Sequence, residues 1–146
     1  MKVAIGSDHA GYELKQFLMK ELADRGYDMI DCGTDSEDSV DYPDFARAVC
    51  DSVLADADLG IAICGTGIGI SIAANKIHGI RAALCHTEFS ARMARLHNNA
   101  NVLAIGARVI GRDLALEIAV AYLAETFSDG ERHKNRIKKM MGLEKP

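Results

Sequence analysis

Short runs of β-branched and aliphatic residues alternate along this chain with longer stretches whose apolar positions recur every three or four residues. The short runs predict strands at 2–6, 28–32, 59–64, 80–85 and 102–105. The longer ones predict helices at 11–25, 42–54, 69–76, 87–97 and 112–126. In the first helix Leu14, Phe17, Leu18, Met19 and Leu22 form the buried stripe, and Gly26 follows as its C-terminal stop. Strict alternation of strand and helix predicts a parallel sheet covered by helices on both faces. The polar stretch 34–41 is the expected loop into the second helix. No composition break or internal repeat interrupts the pattern, so one domain spanning 1–146 is expected. Residues 128–146 differ in character. They carry Arg132, His133, Lys134, Arg136, Lys138 and Lys139, with Ile137, Met140 and Met141 as the apolar positions. The segment is expected to form a helix that docks late or on another subunit.

Composition narrows the functional classes. A chain that is 49% hydrophobic and 26% charged can bury a core and is not disordered. Its net charge of −4 gives no general attraction for nucleic acid or an anionic membrane, so any phosphate site must be a local arrangement. No segment approaches the roughly 20 apolar residues of a membrane span, and the first residues lack the apolar run of a signal peptide. A cytoplasmic protein is expected. Cys32, Cys50, Cys64 and Cys85 form no CxxC pair and no zinc-finger spacing, which points to reduced thiols. Three of them read as small packed apolar residues.

In an open parallel sheet, ligands bind beyond the carboxyl ends of the strands, so the residues just after each strand matter most. Gly6-Ser7-Asp8-His9-Ala10-Gly11 follows the first strand and CGTGIGIS, from Cys64 to Ser71, follows the third. The helix after the fourth strand ends in His97-Asn98-Asn99, and Arg108 follows the fifth strand. The expectation is that all of these converge on one sheet edge. The alternating glycines let backbone N–H groups approach an oxyanion closely at a helix start. GTGIG lacks the GxGxxG spacing of a dinucleotide loop and the Lys-Ser/Thr of a P-loop, so a nucleotide cofactor is not expected. The arginine of a cysteine phosphatase is also missing, since the sixth position after Cys64 is Ile70. Cys64 is then either a packed thiol or a reactive thiolate beside a helix start. A thiolate facing N–H donors suits abstraction of a proton next to a carbonyl, and the surrounding groups favour that reading. Asp8 is placed to cap the helix after it, which is compatible with catalysis. His9 and His97 taken singly read as surface or capping histidines. Arg132 and Arg136 share a helix face and suit either a phosphate clamp or plain solvated surface.

The stretches GSDHAGYELK, DCGT, DYPDFA, ICGTGIGISIAANKIHGIRAA, ARLHNNANVLAIGARVIG and RHKNR span nearly the whole chain. Together they resemble the B-type ribose 5-phosphate isomerases, related to the subunits of galactose 6-phosphate isomerase. The resemblance implies a Rossmann-like three-layer αβα fold with a five-stranded parallel sheet and a C-terminal helix. It implies a homodimer, often paired into a tetramer, with active sites shared between subunits, no metal and no organic cofactor. It also implies the roles. Cys64 is the base moving a proton between C1 and C2, and the N–H groups of Gly65, Thr66, Gly67, Ile68 and Gly69 hold the enediolate. Thr66 helps pass the hydroxyl proton, and His97 is the ring-opening acid. Asp8 and Asn98 hold sugar hydroxyls, while His9, Arg108 and the neighbouring subunit's Arg132 and Arg136 line the phosphate end. One branch of the family places a glutamate base where this chain has Ile70, so the chain sides with the cysteine branch. Asp129-Gly130-Glu131 departs from the pair of glycines expected before RHKNR and puts a carboxylate near the clamp. Isomerases of allose 6-phosphate or galactose 6-phosphate share most of these residues.

Two readings from other classes compete. A non-catalytic phospho-sugar sensor on the same fold would not need Cys64, His97 and Asp8 together. A receiver-type module phosphorylated on Asp8 would need an acidic cluster for magnesium, and the neighbour here is His9.

Overall fold

The computed structural model describes residues 1–145. Five parallel strands, β1 (Lys2–Ser7), β2 (Asp28–Asp31), β3 (Leu59–Cys64), β4 (Ala82–Leu84) and β5 (Val102–Gly106), form one sheet in the order β2-β1-β3-β5-β4. The helices are α1 (Tyr12–Asp24), α2 (Tyr42–Ala55), α3 (Ile68–Ala74), α4 (Glu88–Asn98), α5 (Arg112–Ala124) and α6 (Glu131–Met141), with a 3-10 turn at His9–Gly11. α1, α4 and α5 cover one face and α2 and α3 the other, while α6 packs mainly against α4. The three-layer Rossmann-like expectation holds, with α6 added. Right-handed crossovers explain the two faces, because the chain moves outward from β1 in opposite directions to β2 and β3.

The two cores are unequal, and the inequality places the site. Along β3, Leu59, Ile61 and Ile63 point to the α1 and α5 side with Val3, Ile5, Leu18, Leu103, Ile105 and Tyr122. Gly60, Ala62 and Cys64 alternate to the other side, where side chains are small and α2 comes close. A Cβ on Gly60 would lie 2.8 Å from Val49 Cγ1. Cys64 therefore ends β3 on the α3 face, buried beside Ile70, Ala74 and Ala104.

Several boundaries differ from expectation by one or two residues, and two of the shifts have a visible cause. β4 is shorter than expected because Ile80 N–H turns back to the Ile77 carbonyl and Arg81 N–H is taken by Asn101 Oδ1, at 2.7 Å. α3 ends before residue 76 because the Asn75 side chain pairs with both backbone groups of Ala82, at 2.8 and 2.9 Å.

Candidate active site

The strand register sets Ser7 opposite Ile63 and Cys64 opposite Gly106, so the residues just beyond β1, β3 and β5 stand level at one edge. Asp8 N–H bonds the Ile63 carbonyl, Ala107 N–H the Cys64 carbonyl and Arg108 N–H the Gly65 carbonyl. This edge holds the crevice where the chain reverses direction, between β1 and β3, the usual ligand position in such sheets.

Each side chain here has a definite posture. Asp8 is buried and caps the 3-10 turn with one oxygen, Oδ1, which accepts from Ala10 and Gly11 N–H at 3.0 and 3.2 Å. Oδ2 makes neither of these bonds. His9 Nδ1 accepts from Val40 N–H at 3.1 Å, so a neutral ring carries its proton on Nε2 and offers a donor. Arg108 is exposed and lies across Gly65, its Nη1 3.4 Å from where a Gly65 Cβ would be. The Cys64 Sγ accepts from Gly67 N–H at 3.1 Å, and the exposed Thr66 Oγ1 accepts from Ile68 N–H at 3.2 Å. Two N–H groups of the expected oxyanion cradle are thus used inside the loop. Ile70, where the other branch carries glutamate, is fully buried in the core.

His97 and Asn98 do not join this edge. A helix after a parallel strand runs back against the strand direction, so α4 starts beside the crevice and ends at the opposite edge, where β5 begins. A six-residue strand separates the two edges by roughly 20 Å. The expectation that all the groups converge within one chain is therefore corrected. His97 instead stacks on His133 of α6, with ring centroids 4.4 Å apart and planes 10° from parallel. Arg132 and Arg136, exposed on the same helix, lie close enough to His133 for their charges to act on it, and Asn98 follows His97 in the chain. Lost hydration, then the charges of His97, Arg132 and Arg136, holds the His133 imidazole below its usual range. The Glu131 carboxylate accepts from Lys134 Nζ at 3.3 Å, within its own helix. A cleft of about 480 Å3 opens beside the cluster, bordered by Arg81, Asn98, Met140, Met141 and Glu144.

The profile of the family described as Ribose/Galactose Isomerase matches residues 3–140. The chain belongs to that family.

Ribose-5-phosphate isomerase B of Escherichia coli is 46% identical over 98% of this chain and 96% of its own length. The solved structure of Clostridium thermocellum ribose-5-phosphate isomerase B is 53% identical, with a TM-score of 0.96 over 99% of this chain and 97% of that one. Its Thermotoga maritima counterpart is 50% identical, with a TM-score of 0.94 over 97% and 98%. The family resemblance read from the sequence is to the B-type ribose 5-phosphate isomerases, and these relatives bear it out.

Within this family fold, spacing had not singled out two neighbours of the site. Tyr42 stands over the loop, with its ring within 2.6 Å of a Cβ built on Gly69. The signal was available, since Tyr42 opens the helix that follows the 34–41 loop. His133 lies inside the basic run but reads as charge until its stack on His97 is visible. Among the described residues, no group of three or more His, Cys, Asp and Glu side chains is placed to hold a metal.

The other thiols are quiet by comparison. Burial holds Cys32 and Cys85 above the usual thiol range and, with the Asp51 charge, pushes Cys50 up to about 12. The thiolate is the nucleophile, so an alkylating reagent near neutral pH is expected to mark Cys64 first, and bound sugar phosphate to slow it. Peptide mapping checks this, and first modification at Cys32, which is partly exposed, would contradict it.

Proposed function

We propose that this chain interconverts ribose 5-phosphate and ribulose 5-phosphate by proton transfer through an enediolate, as the names of its relatives suggest. The observation that carries the reading is the Cys64 sulfur held by Gly67 N–H at a sheet edge flanked by Asp8 and Arg108. In the open-chain aldose, Cys64 takes the proton from C2 and returns it to C1, and Thr66 passes the hydroxyl proton between O1 and O2. The oxyanion formed between the two steps falls to the N–H groups of Gly65, Thr66 and Gly69. The Asp8 Oδ2 takes a sugar hydroxyl, and His9 Nε2–H and Arg108 take the phosphate.

The His97 cluster belongs in the same reaction through a second copy of the chain. Roughly 20 Å is too far for one pentose phosphate to touch both clusters of one chain. In a homodimer, the His97 of one copy opens the furanose ring over the Cys64 of the other, Asn98 holds a hydroxyl, and Arg132 and Arg136 close on the phosphate. Ile68, Ile72, Leu84, Phe89 and Val109 are exposed near the Cys64 edge, and a second copy would cover such a patch. The four unpaired cysteines fit a reducing, cytoplasmic setting. No helix of the described residues is long and apolar enough to cross a membrane.

Conversion of ribose 5-phosphate, followed by ketose formation with and without a chelator, tests the reading. Turnover unchanged by the chelator is expected. Conversion of allose 6-phosphate or galactose 6-phosphate alone would move the substrate to six carbons, and conversion of none would leave a binding protein. His97→Asn should slow ring opening by about a hundredfold, in the range of a lost general acid. It should spare solvent hydrogen exchange into ribulose 5-phosphate, which has no ring. Equal losses in both would remove the dedicated ring-opening role.

A further inference from the structure

The His97 cluster has a weak foundation. No residue of α6 is buried, so packing does not fix the helix that carries Arg132, His133 and Arg136. At its N-terminal side only the bond from Ser128 N–H to the Leu96 carbonyl and the His97 stack tie it to α4. α4 ends in a left-handed residue, Asn99 at φ 45°, and leaves C-terminal carbonyls in need of donors. Arg95 and Tyr122 serve the deeper side of this turn, bonding the Asn99 side chain and the Ala100 carbonyl.

Arg81 serves the other side. Its Nε donates to the carbonyls of Asn98 and Asn99 at 3.2 and 3.0 Å, and Nη2 donates to Asn99 at 2.9 Å. Nη1 reaches the Met141 sulfur of α6 at 3.5 Å. One planar guanidinium therefore joins the turn that presents His97 and Asn98 to the helix that presents the arginines. Its backbone is itself fixed, because Arg81 N–H bonds Asn101 Oδ1 at the start of β5.

We propose that Arg81 is a positioning residue for catalysis: it sets the His97-Asn98 turn against α6 and touches no substrate itself. The proposal rests on the reading that this cluster completes the Cys64 pocket of a second copy. Arg81→Met keeps much of the side-chain volume but supplies no donor. It should lower kcat/KM by about ten- to a hundredfold, as small misplacements of reacting groups do. Arg81→Lys keeps the charge but not the planar fork and should fall between wild type and Arg81→Met.

Mixing chains separates positioning from general damage. Arg81→Met mixed with Cys64→Ala should give hybrids with one intact site, and activity should rise to about a quarter of wild type after statistical exchange. Arg81→Met mixed with Arg136→Ala should stay at the mean of its parents, because both lesions strike the same half of each site. Arg81→Lys replaces Arg81→Met in both mixtures if the latter does not fold. No rise with Cys64→Ala, while a Cys64→Ala and Arg136→Ala control mixture recovers, would overturn the proposal and leave the shared site standing. A rise with Arg136→Ala would also overturn it, by moving Arg81 to the Cys64 half. A silent control, with hybrids confirmed by mass spectrometry, would instead remove the shared site and the proposal with it.

Discussion

Cys64→Ser is expected to fold normally and to lose about a hundred- to ten-thousandfold in kcat, the range set by a missing general base. Serine leaves an oxygen where Gly67 N–H now finds sulfur at 3.1 Å, so the loop keeps its internal bond. The hydroxyl ionises far less readily than the thiol, so the proton acceptor is lost while the scaffold stays. Cys64→Ala should lose as much activity and also some stability, since a buried N–H without a partner costs about 1–3 kcal/mol. Thermal unfolding and single-turnover kinetics on the two variants separate the effects. Near-normal kcat in a folded Cys64→Ser enzyme would remove Cys64 from the reaction.

Gly67→Ala should harm stability and chemistry together. Gly67 sits at φ 75°, where an L side chain costs about 1–2 kcal/mol. Its Cβ would also lie 2.5 Å from Leu84 Cδ1 and 2.8 Å from the Ile105 carbonyl carbon. Leucine can move and the β5 backbone cannot, so overpacking adds about 1–3 kcal/mol. A fall in Tm of roughly 10 °C follows for a chain of this size. The shift of Gly67 N–H away from the sulfur should lower kcat/KM at least about a hundredfold. Differential scanning calorimetry and initial rates check the pair. An unchanged Tm would mean that the loop relaxes freely and that the left-handed turn is not what holds it.

Much of this is legible in the sequence. The period of the apolar positions located all five strands and the five helices that cover the sheet, because a parallel sheet buried on both faces demands continuous apolar strands and striped helices. The Cys64 edge followed from the rule that ligands sit beyond strand C-termini, and Asp8, His9 and Arg108 are indeed there. His97 was misplaced by the same rule applied without direction. It ends a helix rather than following a strand, and a helix that starts at one edge of the sheet must end at the other. The division of labour inside the glycine loop was not legible, because spacing does not say whether an N–H faces a ligand or a neighbouring sulfur. Neither was the role of Arg81, whose partners at Asn98, Asn99 and Met141 lie 17 to 60 residues away.

The division of the site between two copies is tested most directly by mixing two impaired chains. Arg136→Ala alone should weaken kcat/KM by roughly ten- to a hundredfold, since a charge-assisted bond to phosphate contributes about 1.5–3 kcal/mol. Mixed with Cys64→Ala and allowed to exchange, half of the dimers are hybrids, and each hybrid pairs one doubly damaged site with one intact site. Ribose 5-phosphate turnover is therefore expected to recover to about a quarter of wild type. No recovery, with hybrids confirmed by mass spectrometry, would contradict it and place Arg136 in its own chain's site or in none.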